Sequence, residues 1–119
     1  MKSYRDLMVW QKAMVLVEEV YRLTKVFPRE EQFALTDQLR RAAVSVPANI
    51  AEDYSRQSTQ DHIRFLAIAR GSVYEMRTLL EIGNRLGYVK MADFESRDKL
   101  VSEIERMLNS LITKLRQKP

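Results

Sequence analysis

Gln38-Leu39-Arg40-Arg41-Ala42-Ala43-Val44-Ser45-Val46-Pro47-Ala48-Asn49-Ile50-Ala51-Glu52-Asp53 reads as a helix with a proline in its interior and apolar residues on two sides. Leu39, Ala42, Ala43, Val46 and Ile50, with Leu35 upstream, recur at three- and four-residue spacings and make one apolar face. A polar stripe of Gln38, Arg41, Ser45, Asn49 and Glu52 runs beside it. Val44, Pro47 and Ala51 lie on the far side. A surface helix of a monomer needs one apolar stripe of about 100°. The second set therefore asks for a second contact, and Val44, Pro47 and Ala51 are the candidate oligomer interface. Pro47 removes the backbone hydrogen bond to the Ala43 carbonyl, and its ring bends the helix there. The expectation is a bent, continuous helix over 31–53. The alternative is a break, with Pro47 in the first turn of a new helix and Ser45 or Val46 near its cap.

Upstream, a helix is expected over 6–27, with Asp6 as N-cap and Pro28 as its stop. Leu7, Trp10, Met14, Val17, Tyr21 and Thr24 share one face. Val9, Ala13, Leu16, Val20, Leu23 and Phe27 form a second row beside it, so the apolar arc is wide. Downstream, Tyr54 to Thr59 is a polar loop, and Ser58 with Asp61 resembles a capping box. A third helix is expected over 59–86, with Phe65, Leu66, Ala69, Val73, Met76, Leu80 and Gly83 on one face. Gly87 supplies the positive φ that closes it. A fourth is expected over 92–115, with Phe94, Val101, Ile104, Leu108, Leu111 and Leu115 in heptad fashion. Four amphipathic helices on short links make a single all-α domain over 1–119, an antiparallel up-and-down four-helix bundle.

Composition agrees. Glycine and proline number only three each in 119 residues, too few for a turn-rich β protein. There are no cysteines, which excludes disulfides, thiolate metal sites and cysteine nucleophiles. The first residues are polar and include Asp6, so no signal peptide is visible, and no apolar run spans a bilayer. A cytoplasmic location and no membrane contact are expected.

Catalytic parts are not found. The single histidine, His62, has Thr59 three residues before it, so the Glu-x-x-His pairs of di-iron bundles are missing. His62 falls on the core side of its helix and reads as a satisfied structural histidine. Met14, Met76 and Met107 read as core filler. No Gly-rich phosphate loop occurs. The expectation is no enzyme, no metal and no cofactor.

The formal charge of +4, from 20 basic and 16 acidic side chains, permits an anionic partner. Arg70, Tyr74 and Arg77 fall on one face of the third helix, placed away from the core. Arginine offers phosphate contacts and tyrosine a stacking surface. Arg40, Arg41, Lys114, Arg116 and Lys118 add positive charge. The bland alternative is a solvated face with Arg77 paired to Glu81. Binding of RNA or DNA through these residues, or a scaffold that recruits a protein partner without touching nucleic acid, are the two functional expectations.

Asp6-Leu7, Val9-Trp10-Gln11-Lys12-Ala13, Tyr21, Phe27-Pro28, the whole of Gln38–Glu52, and Phe65-Leu66-Ala67-Ile68-Ala69-Arg70-Gly71-Ser72 occur in the order of a known family. The chain resembles the four-helix-bundle proteins encoded in bacterial 23S ribosomal RNA intervening sequences. The resemblance implies an up-and-down bundle assembling as a homopentamer. A related branch, the accessory variability proteins of diversity-generating retroelements, forms a basic pentameric barrel that binds nucleic acid and a reverse transcriptase. The charge here is lower than that branch implies. Asp53 also stands where the family commonly has glycine, so the turn after the second helix is expected to begin differently.

Overall fold

The computed structural model describes residues 3–118. A 3-10 turn, Tyr4–Asp6, leads into α1, Met8–Thr24; a second, Arg29–Glu31, precedes α2, Leu35–Tyr54; α3, Thr59–Arg85, and α4, Met91–Arg116, follow. Consecutive helices pack as antiparallel neighbours, and α1 closes against α4. The all-α bundle measures 49 × 23 × 22 Å.

The α2 face was fully legible. Leu35, Leu39, Ala42, Ala43, Val46 and Ile50 are all buried, and the helix runs unbroken through Pro47. Its start lies four residues later than expected. Glu31 ends a 3-10 turn instead of opening the helix, and its carboxylate accepts from the Leu35 amide at 3.3 Å and from the Tyr88 hydroxyl at 3.0 Å.

In α1 the structure separates the two apolar rows, although Thr24 of the first is buried as well. Val9, Ala13, Leu16, Val20, Leu23 and Phe27 are buried, while Met14 and Tyr21 are exposed and Leu7, Trp10 and Val17 half-buried. Ala13 lets a neighbouring helix approach; the bulk of Met14 and Tyr21 would hold it off. Asp6 is not the N-cap of a long helix. It closes a capping box with Ser3 around the preceding 3-10 turn, and α1 starts two residues later. Met76 is core filler as expected, but Met14 is not.

Ser58 caps α3, accepting from the Asp61 amide at 3.1 Å. Gly87 ends that helix at φ +84, where an L side chain is strained. The Tyr88 amide donates to the Gly83 carbonyl at 2.8 Å and the Gly87 amide to that of Asn84 at 3.0 Å, a Schellman closure. Gly83 itself lies under the α3–α4 turn; a Cβ there would stand 3.0 Å from the Val89 side chain.

Candidate assembly and nucleic-acid surfaces

The α3 stripe lies outside the buried core, but it is not open. It faces α4. Arg70 donates to the Asn109 side-chain oxygen at 3.0 Å, and the Tyr74 hydroxyl to Glu105 at 2.9 Å. Arg77 spends its guanidinium three ways, on Asp98 at 3.1 Å, Glu105 at 2.8 Å and the Ser102 hydroxyl at 3.0 Å. Glu81 pairs with Arg85 instead. Burial works against the Glu105 charge. The hydrogen bonds from Arg77 and Tyr74, with the Arg77 and Arg106 charges, outweigh it and hold the carboxyl below its ordinary value. The hydrogen bond to Glu105 in turn raises the Tyr74 hydroxyl. The trio is thus a seam between two helices, with its strongest donors already taken.

Arg40 is also committed. Its Nε donates to Thr24 Oγ1 at 2.8 Å, and its guanidinium lies 4.5 Å over the Tyr21 ring. Arg41 is open, with only Asp37 4.0 Å away. Lys114 and Arg116, in the last turn of α4, are exposed and have no ion pair among the described residues.

The polar stripe of α2 belongs to the chain itself. Asn49 donates to the Ser45 carbonyl at 2.8 Å and to its hydroxyl at 3.0 Å. Ser45 and Ser72 of α3 share a hydrogen bond at 2.8 Å, and Ser72 donates to the Ile68 carbonyl at 3.1 Å. The Ser45–Ser72 bond ties α2 to α3, and Asn49 holds Ser45 in place within α2. On the far side, Val44 is 43% exposed, Ala51 half-buried and Pro47 buried. Pro47 is covered within the chain, which removes it from a surface that another copy could touch.

A larger apolar outcrop stands just ahead of α2. Phe33, in the link before α2, is 87% exposed. It rims a groove of about 490 Å³ bounded by Asp37, Arg41, Ser45 and Glu75. Across the Asp37–Arg41 ridge a second groove, of about 510 Å³, is walled by Tyr21, Arg40 and Val44. Sequence reasoning passed over Phe33; its signal was a large aromatic in an otherwise polar link.

Residues 5–110 match the family described as 23S rRNA-intervening sequence protein. The chain belongs to that family. A crystal structure of a protein of unknown function from the S23 ribosomal protein family of Bacteroides thetaiotaomicron is similar at a TM-score of 0.82 and 30% identity, over 88% of this chain and 98% of that one. No curated protein matches.

Asp53 is a further polar residue whose partner sequence reasoning missed. It is buried in the last turn of α2, with Oδ1 2.7 Å from His62 Nδ1 in the first turn of α3. Burial raises the Asp53 carboxyl, and the hydrogen bond and charge of His62 offset part of that rise. The polar loop between them hid the pairing. Among the described residues no cluster of three His, Asp or Glu could hold a metal, and no helix is long and apolar enough to cross a membrane.

Proposed function

We propose that the protein is a self-assembling bundle that carries out no chemistry and binds RNA or DNA once assembled. The observation that carries this reading is Phe33. Leaving a phenylalanine 87% exposed forgoes about 2 kcal/mol of burial in every copy. Tyr21 and Val44, 40% and 43% exposed beside a groove, extend the apolar surface. Phe33 of one copy entering the Tyr21–Val44 groove of the next is a heterologous contact, which makes a ring when the rotation closes. Five copies is the number that the resemblance implies.

Assembly also supports the second half of the reading. A charge of +4 per copy accumulates, and the open Lys114, Arg116 and Lys118 recur around the ring. Arg41, on the ridge between the grooves, is a further exposed cation, with Asp37 4.0 Å away. Fluorescence anisotropy with a structured RNA tests this, with an affinity that falls steeply as salt rises. No binding at low salt refutes it.

One observation favours the second reading, a ring that recruits a protein partner without nucleic-acid contact. Arg70, Tyr74 and Arg77, the candidate stripe on α3, are bound to α4. Capture of a defined protein that survives nuclease treatment, from a ring that binds no RNA, selects this second reading.

A further inference from the structure

The end of the bundle where α1 and α3 begin and α2 and α4 finish holds a cavity of about 500 Å³, within the range of small-molecule sites. Its walls differ. Leu7, Leu66, Leu111 and Leu115 make an apolar side. Asp53 and His62 make a polar one. Because His62 Nδ1 is held by Asp53, Nε2 is the ring nitrogen without a partner among the described residues. Tyr54, 39% exposed, adds an aromatic surface. Lys114, in the last turn of α4, and Lys118, two residues past the end of that helix, both line the rim and are exposed.

A hydrocarbon ligand suits the leucines but not the carboxylate–imidazole pair, whose polar atoms it would desolvate without return. A flat nitrogen heterocycle suits both. Its faces pack on leucine and tyrosine, and its edge carries donors and acceptors for the pair. Two lysines at the mouth then match a phosphate attached to that ring through a short polar spacer. We propose that this cavity binds a nucleoside monophosphate group, with the base between Leu66 and Tyr54, its edge at Asp53 and His62, and the phosphate at Lys114 and Lys118. A free nucleotide and the 5′-phosphorylated end of a strand carry this same group. The strand form rests on the nucleic-acid reading above; the free nucleotide does not.

The test is an amide-resonance titration of the full chain with AMP. Beside it runs anisotropy with one oligonucleotide bearing a 5′-phosphate, a 5′-hydroxyl, or a blocked end. AMP is expected to shift residues 53–66 and 111–118. Lys114→Gln with Lys118→Gln, both exposed and safe for folding, is expected to weaken it about tenfold. His62→Gln is expected to weaken AMP binding while the lysines still answer to inorganic phosphate. A preference for the 5′-phosphate without AMP binding assigns the cavity to strand ends and also supports the proposal. AMP affinity unchanged in the double lysine variant overturns it. So does the absence of both AMP binding and end preference. If the blocked strand still binds in that last case, nucleic-acid binding stands and only the cavity assignment falls; if it does not, both fall.

Discussion

Arg77→Ala is expected to cost stability and not nucleic-acid affinity. The side chain is 29% exposed and makes three hydrogen bonds to α4. The contact with Asp98, a carboxylate 41% exposed, is largely screened and contributes little. The contact with Glu105, 23% exposed, is a short charge-assisted bond worth about 1.5 kcal/mol. The bond to Ser102 adds about 0.5 kcal/mol. A loss near 2 kcal/mol follows, which for a chain of this size lowers Tm by about 8 °C. Urea unfolding followed by circular dichroism measures it, with the slope unchanged. Combined with Glu105→Gln, the two losses should fall short of additivity by about 1 kcal/mol. The pH profile gives a second check. Glu105 lies below its ordinary 4.5 when folded, so its contribution is complete above pH 4.5 and is lost as pH falls through the lower folded value. The gap between wild type and Arg77→Ala should therefore narrow in acid. An unchanged urea midpoint together with a large loss of RNA affinity would refute this assignment, and would put the arginine back on an open face.

Asp53→Asn should behave with the opposite sign. The folded carboxyl lies above its ordinary 3.8, so its contribution is complete below pH 3.8 and lost as pH rises through the folded value. The variant should gain on wild type at neutral pH, and the gain should vanish in strong acid; Tm against pH reads it. Gly87→Val, at a φ of +84, should cost about 1–2 kcal/mol by urea unfolding, while Gly71→Ala, where a Cβ meets nothing within 4 Å, should cost nothing. Leu16→Ala, at a fully buried site, should cost about 3 kcal/mol in the same assay. Val44→Glu should lower the sedimenting mass and leave the far-ultraviolet signal intact, whereas Pro47, being buried, offers no comparable surface test.

What the sequence revealed follows from how the signals are encoded. The α2 face was readable because the polar stripe of Ser45, Asn49 and Glu52 separates its main apolar row from Val44, Pro47 and Ala51. The α1 face was not, because two apolar rows lie side by side and periodicity weighs them equally; the packing room left by Ala13 decides between them. The partners of Arg77 were missed for a related reason. A polar face can point to solvent or to the carboxylates of a neighbouring helix, and Asp98 and Glu105 lie 21 and 28 residues away. Asp53 and His62 are nearer in sequence, yet a loop separates their helices and periodicity does not cross it. Phe33 was passed over because the expected helix over 31–53 took it in, whereas α2 starts only at Leu35 and leaves it in the link.

Assembly is the claim on which the functional account stands, and sedimentation equilibrium tests it most directly. Five copies of a 14.0 kDa chain give a mass of about 70 kDa. The account predicts that mass for the wild type at micromolar concentration, and its collapse to the monomer in Phe33→Glu with helicity unchanged. A wild type that sediments at 14.0 kDa up to the highest soluble concentration would contradict it.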